Sequence, residues 1–475
     1  MSRQSDAAWS LRRIELYADG MEDADDGQLS IADRLLNLRN RRENWRQLLP
    51  RLYKYPLSTT LWNAYELVDG VFAQTQNWAT VNSSKGIQFA SLPSRFSPGT
   101  VIQYENVGFA FRDFAMDPTQ DLVIYMQCDD LQNVHGTHVV LHIRTMSTNK
   151  AHPLGKPHSS TRHETLTMTS GVIEGAVIQI VDDVVGFMSW CREESKLFIW
   201  DWRRGKLLVS EQSLESLDDF SFLSPRAYVL SRPGRHAWFR VYSFSSESGP
   251  KLHATLYLPL TRADSTVALI GIHTGPFTTS GTPPPSIRPP RPFRTKSDAR
   301  VHVVNIDFLH GPDPDDHRVQ CLVIVHNRTF LSYIKESEEP VIVQWDQWGR
   351  ENTYWIMGLT GSQWLRYVHG ERLVRLHRPT TESSERISEI QIYDFGAMRG
   401  PNKFMTKEER TERLFLSTQE LLIDSVFPEP IHFSLPCRII RRQEARPSLG
   451  FMVGDDLLIG VKRSTFSTNL DVYVL

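Results

Sequence analysis

The chain has 475 residues, enough for about three ordinary domains or one large repeat domain with insertions. Hydrophobic residues make up 40% and aromatics 10%, sufficient for a core, and a formal net charge of −2 gives no overall pull toward nucleic acid or an anionic membrane. No run approaches the roughly 18 apolar residues of a membrane span, and the opening MSRQSDAAWSLRRIEL lacks the apolar stretch of a signal peptide. Cys128, Cys191, Cys321 and Cys437 lie far apart, three of them in apolar or strand-like surroundings. Reduced, buried thiols are expected, without a disulfide framework or a zinc site. These features together predict an intracellular protein, cytoplasmic or nuclear.

In chain order, the first predicted element is a helix over 30–49. Ser30 can cap it, with Asp33 at the capping-box position. Ile31, Leu35, Leu38, Trp45 and Leu49 recur on one face at three-to-four spacing. Arg39, Arg41, Arg42 and Arg46 crowd the rest. They read as the solvated face of an amphipathic helix, with an anion or nucleic-acid patch as the alternative. Residues 1–55 are therefore expected to form an N-terminal helical segment, ahead of a strand-rich region over 56–475.

From about Trp62 the pattern is strand, turn, strand. The most informative stretch is 175–209. IVDDVVGFMSW (180–190) reads as one strand buried on both faces. After a charged turn, LFIWDWRRGKLL (197–208) sets Phe198, Trp200 and Trp202 on one face by alternation. Trp200-Asp201 before the Arg204-Gly205 turn has the look of a propeller-blade strand. A short strand with an aromatic near its end recurs at Tyr65, Trp200, Tyr242, Tyr333, Tyr393 and Tyr473, and LHIRTMS around Arg144 is counted as a further copy. The step from Trp200 to Tyr242 matches a bare four-stranded blade of about 40–45 residues. A second form, a turn leading into an apolar strand, appears in DFAMDPTQDLVIYMQ (113–127), DFSFLSPRAYVLS (219–231) and SLGFMVGDDLLIGV (448–461). Asp182-Asp183 and Asp455-Asp456 sit at equivalent strand-turn positions, which implies a repeated structural role.

The fold expected is all-β: a WD-repeat-like, degenerate β-propeller of about seven blades, with a large sandwich as the structural alternative. A propeller closes by pairing strands from the two ends of the chain. LDVYVL, flush with Leu475, suits that role, with a partner expected between Trp62 and Ala90. Two insertions interrupt the pattern. The segment 275–299, GPFTTSGTPPPSIRPPRPFRTKSDA, is too rich in Pro, Thr and Arg to build a core and is expected to be exposed and partly polyproline-like. It reads as a variable insertion, or as a ligand for a proline-binding module. The segment 401–424, with KEERTER (407–413), reads as a short helix or a surface excursion.

For chemistry the sequence offers little. It has no nucleophile elbow, Walker loop, dinucleotide fingerprint or zincin helix. His135 and His138 lack a third zinc ligand at clear spacing. DPDDH, with Asp313, Asp315, Asp316 and His317, lacks the glycine and distal glutamate of a calcium loop. No cofactor or metal and no enzymatic activity are expected. An enzyme reading would need three or more acidic or His groups with shifted pKa to converge in the channel. The richer signal is QWDQWGRENTYWIMGLTGSQWLRYVHG (344–370). Aromatics and arginine carry hot spots in interfaces, so Trp345, Trp348, Arg350, Tyr354, Trp364, Arg366 and His369 are the candidate protein-binding residues. Packing aromatics of a large core are the competing reading.

The run RIELYADGMEDADDGQLSIADRLLNLRNRRENWRQL (13–48) resembles the segment that follows the F-box in a large group of fungal, chiefly basidiomycete, F-box proteins. The likeness continues through YELVDGVFAQ (65–74), DFAMDPTQDLVIYM (113–126), LHIRTMSTNKAHPL (141–154), FIWDWRRGKLL (198–208), DDFSFLSPRAYVL (218–230), ENTYWI (351–356), WLRYVHGERLV (364–374) and LDVYVL. In that family an N-terminal F-box docks on the Skp adaptor of a cullin-RING ubiquitin ligase, and the C-terminal part holds the substrate. The resemblance therefore implies a protein partner or ubiquitination substrate, with no nucleic acid and no membrane. The F-box itself, a Leu-Pro start followed by Leu-rich helices, has no counterpart in the sequence, so Skp adaptor and cullin are expected only if an F-box is supplied upstream.

Overall fold

The computed structural model describes residues 12–24, 29–48, 51–56, 64–80, 83–94, 98–128, 138–155, 166–167, 173, 175–191, 194–213, 217–278, 287, 291–311, 318–335, 339–358, 366–377, 388–396, 414–415, 418–444, 448–463 and 468–475. Antiparallel strands dominate, grouped into seven sheets that follow one another around a ring. The chain is a seven-bladed β-propeller. Alternating apolar strands with short polar turns produce sheets that bury both faces against their neighbours, which is why most strands are apolar on both sides.

Blade 1 runs from Tyr65 to Tyr104, blade 2 from Asp113 to Thr167, blade 3 from Gly175 to Ser213 and blade 4 from Asp219 to Tyr257. Blade 5 spans Ser265–Met357 and blade 6 spans Val368–Glu444, both with long insertions. Blade 7 is built from both ends of the chain. Its inner three strands are Gly450–Val453, Leu457–Arg463 and Thr468–Val474, and its outer strand is Arg51–Pro56. Leu52 lies opposite Tyr473 and Tyr55 opposite Leu470. LDVYVL does take part in closure, but its partner lies upstream of the expected 62–90 window. That strand also straddles the expected boundary at 55/56 and belongs to the ring. Met452, Ile459 and Val472 of blade 7 pack with Leu67 and Phe72 of blade 1, completing the circle.

Two strand readings need correction. IVDDVVGFMSW is a hairpin, not one strand: Gly175–Val181 turns at Asp182, whose φ of 54° is left-handed, into Val184–Cys191. Tyr333, in the expected strand TFLSYI, directly follows the helix Asn327–Leu331. Among the other six strands of that set, five are the third strand of a blade, whereas YELV is the innermost strand of blade 1. Asp182-Asp183 and Asp455-Asp456 do sit in the same turn, between the first two strands of blades 3 and 7.

Helix α1 (Ile31–Gln47) is capped by Ser30, whose Oγ accepts the Asp33 amide at 3.2 Å. Its buried positions are Arg34, Leu38, Arg41 and Trp45. The solvated-face reading of the arginines is thus wrong for Arg41, and Leu36 is exposed instead. Trp45 and Leu48 join the core of blades 4 to 7. Among the described residues, no helix is long and apolar enough to cross a membrane.

Candidate functional site

The channel down the ring axis is walled by the first strands of the blades. Its end on the side of the first-to-second-strand turns is capped by the chain itself. The cap has two parts, α1 and a strand, Phe293–Thr295, from the Pro-rich insertion of blade 5. Phe293–Thr295 pairs antiparallel with Met21–Asp23, and Leu16, Met21, Leu38 and Phe293 form a small core of their own. The insertion is therefore not simply an exposed loop: Phe277, Ile287, Phe293 and Ala299 are buried. Residues 279–286 and 288–290 lie outside the described residues.

Asp455, in the turn of blade 7, fastens the cap. His369 Nε2 lies 2.8 Å from its carboxylate, Arg291 lies 3.5 Å away, and Thr295 Oγ1 donates to it. Its backbone carbonyl accepts from Arg41 at 2.6 Å and from Trp45 Nε1 at 3.1 Å. Arg41 also pairs with Asp456 at 2.5 Å. Set against the cost of burial, His369, Arg291 and Arg41 hold the Asp455 carboxyl well below the usual carboxylate range. Arg34 donates to the carbonyls of Ala24 and Pro292. Arg39 and Arg42 pair with Glu15, and Arg42 also with Asp19. The arginines of α1 thus have partners within the chain. Gly70 is required at this end: its φ is +75°, and a Cβ there would collide with the Arg291 guanidinium.

Beyond the cap the inner strands enclose a cavity of about 200 Å³. Its lining includes Glu66, Asp113, Asp219, His273, Arg366 and Tyr367. Arg366 forms a two-pronged pair with Glu66, at 2.6 Å on each side, and donates to the Thr274 carbonyl at 3.1 Å. One side chain therefore ties blades 6, 1 and 5. Asp219 accepts the Phe220 amide at 2.8 Å and, across the blade boundary, the Ile272 amide at 2.7 Å. Burial still pushes it up to about 7. Among the described residues Asp113 accepts only the amide of its neighbour Phe114, at 2.8 Å, and burial pushes it up to about 6. Burial, with Arg366 nearby, pushes His273 down to about 4, so it is neutral near pH 7.

The seven sequence-predicted binding residues do not share one surface. Trp348 is core: its ring meets Phe239 edge-on, and its Nε1 donates to the Tyr257 carbonyl at 2.9 Å. Trp345 is half-buried, edge-on to Trp348 and Trp355. Tyr354 is buried among Tyr393, Phe395 and Phe433. Arg366 is in the channel and His369 in the cap. Arg350, on the helix Trp345–Asn352, is exposed. Trp364 lies outside the described residues, as do His135 and the DPDDH turn. Residues 401–413 of the charged insertion lie outside them too. Downstream, Gln419–Leu421 forms a hairpin with Ile431–Phe433.

One feature at the start of this stretch escaped the sequence reading. Val341–Val343 adds a fifth strand to blade 4, parallel to Lys251–Tyr257, with Ala254 opposite Val341. Among the described residues no strand pairs with its outer edge. Ile342 is 68% and Val341 40% exposed. A groove of about 370 Å³ runs beside it, lined by His253, Tyr333, Lys335, Glu339 and Gln347. The channel acids were missed as well, although Asp-Phe opens both 113–127 and 219–231 and marks the same place in two blades.

No family model and no curated protein matches this chain. Solved propeller structures do. The propeller domain of the trilobed protease from Pyrococcus furiosus aligns at 12% identity and a TM-score of 0.31, over 76% of this chain and 92% of that one. The N-terminal domain of Nup159 aligns at 8% and 0.33, over 90% and 93%. The polysaccharide lyase Uly1 aligns at 8% and 0.36, over 88% and 90%. The likeness is distant. It carries no argument about function, and the propeller assignment rests on the strand order itself.

Proposed function

We propose that this chain is a non-enzymatic, protein-binding β-propeller, and that it serves as the substrate-recognition part of an F-box type ubiquitin ligase receptor. The observation that supports protein binding is the open edge of Val341–Val343. An unpaired strand presents backbone donors and acceptors that another chain can complete, and native proteins usually blunt such edges with charge, proline or a bulge. Here the edge strand is three residues long and follows Pro340, and Val341 and Ile342 stand exposed on it, with Arg350 exposed on the helix that follows. The ligase half of the reading is supported by the sequence resemblance alone. A propeller scaffold with no ubiquitin role is the alternative, and adaptor binding separates the two.

The test is capture of partners from the native cell by the tagged chain and by Ile342→Lys. Loss of the captured protein with the variant supports edge pairing. Recovery of Skp adaptor and cullin, with or without restored upstream coding sequence, supports the ligase role, and their absence from every form removes it.

A second reading, chemistry in the channel, draws on Asp113 and His273, both facing the cavity with shifted pKa values. It is weakened because Glu66 is engaged by Arg366 and Asp219 by two main-chain amides. A hydrolytic or lyase activity that Asp113→Asn abolishes would establish it over the binding reading.

A further inference from the structure

The channel cavity has a charge pattern that the fold does not explain. Three carboxylates, Glu66, Asp113 and Asp219, line it against one guanidinium, Arg366. That guanidinium is already spent on Glu66 through both of its prongs. Asp219 grips the backbone of blade 5 and so has a structural task. Asp113 has none of this kind: one oxygen takes the Phe114 amide, and among the described residues no cation forms a salt bridge with it, the neighbouring Arg112 acting on it only through space. His273, neutral near pH 7, lines the same cavity and makes its ring contact with Tyr367, at 5.5 Å between centroids. Its imidazole is a neutral polar group of the lining. Tyr65, Ile178 and Phe277 add apolar or aromatic wall. A cavity of about 200 Å³ is below the size of ordinary small-molecule pockets, which run to about 300–1,000 Å³. It suits a single side-chain head group.

Resting on the protein-binding reading above, we propose that this cavity is the seat for a guanidinium or primary ammonium group carried on a side chain of the bound protein, with Asp113 as its counter-ion and His273 as a second hydrogen-bond partner. A buried carboxylate without a cation is costly, and an arriving cation offsets that cost, which gives the seat its selectivity for charge over shape. The partner class is thus a protein that presents an Arg or Lys from an extended segment or loop.

The seat is tested on the full chain by titration with N-acetyl-arginine amide and N-acetyl-lysine amide, followed by NMR or calorimetry. N-acetyl-citrulline amide, which keeps the shape of arginine and lacks its charge, is the control. Saturable binding is expected for at least one basic probe, at least tenfold weaker for the citrulline probe and at least tenfold weaker for Asp113→Asn. A melting curve establishes that the variant is folded, and the citrulline comparison decides on the wild-type chain alone if it is not. The proposal is overturned if neither basic probe saturates, if citrulline binds equally well, or if a folded Asp113→Asn keeps full affinity. Methylguanidinium binding as tightly as the arginine probe would assign the seat to a free small cation and overturn the side-chain source. If Ile342→Lys abolishes partner capture while the probes fail to bind, the protein-binding reading stands and the seat alone falls.

Discussion

The capped end of the channel and the outer edge of blade 4 are built on opposite terms. At the cap most charged groups are paired within the chain, although one guanidinium nitrogen each of Arg41 and Arg291 makes no hydrogen bond. Asp455 alone receives His369, Arg291 and Thr295 on its carboxylate and Arg41 and Trp45 on its carbonyl. At the edge of blade 4 the inner side of Val341–Val343 pairs with Lys251–Tyr257, while among the described residues no strand pairs with its outer side, and Ile342 stands 68% exposed. Charge density and an unpaired strand edge therefore lie at different places on this propeller. The arginine-rich helix is a structural strap, and the apolar, weakly charged edge is the free surface.

The largest effect that could break this contrast is expected from Asp455→Ala. It strips Arg291 and His369 of their shared partner in a buried place, where breaking a pair costs about 3–5 kcal/mol. Urea denaturation should show a loss of that size, and a loss below about 1 kcal/mol would show that the cap contributes little. Arg366→Met leaves Glu66 buried without its cation. About 2–3 kcal/mol is expected, less than the cap because Glu66 keeps the Leu67 amide at 2.7 Å and lines a cavity that can admit water.

A third, smaller effect concerns pH. The Asp455 carboxyl is held low, so its contribution is present above the unfolded carboxylate range, near pH 4, and is lost as the pH falls through its folded value. Asp219 behaves in the opposite sense. With its pKa pushed up to about 7, the folded chain keeps a proton between about pH 4 and 7 that the unfolded chain has released, so its contribution declines as the pH rises through that window. His273 and His302, both pushed down to about 4, tilt the total the other way. The informative quantity is therefore a difference between chains. Relative to Asp219→Asn, the wild type should lose stability from pH 4.5 to 7.5, as read from paired denaturation curves. A constant difference would remove the buried-acid account. The smallest stability effect is expected from Ile342→Lys, within about 0.5 kcal/mol, because the side chain stands in solvent.

The propeller was legible because its signals are local. Asp-Phe or Gly-Phe opens an inner strand, an aspartate pair sits in an inner turn, and an aromatic closes a third strand. What depends on distant partners was not legible. Arg41 looked solvated because the residues it meets, Asp455 and Asp456, lie at the other end of the sequence. The closing strand Arg51–Pro56 was passed over because only its pairing with Thr468–Val474 defines it. Ile287 and Phe293 looked exposed in a Pro-rich run, yet the core of blades 1 and 2 buries Ile287, and Leu16, Met21 and Leu38 bury Phe293. Of the predicted binding residues, the aromatics Trp348 and Tyr354 went to core packing, as the competing reading of that stretch held. Their residue types cannot distinguish a hot spot from a blade contact.

The most direct test of the central claim, that this propeller binds protein through its open edge, is a paired capture from native cells with the tagged wild type and tagged Ile342→Lys, both verified as folded, followed by mass spectrometry. The account requires at least one protein recovered in stoichiometric amount by the wild type and lost with the variant, while the two chains melt within a degree or two of each other. Equal recovery by both chains, or no recovered protein with either, would contradict it.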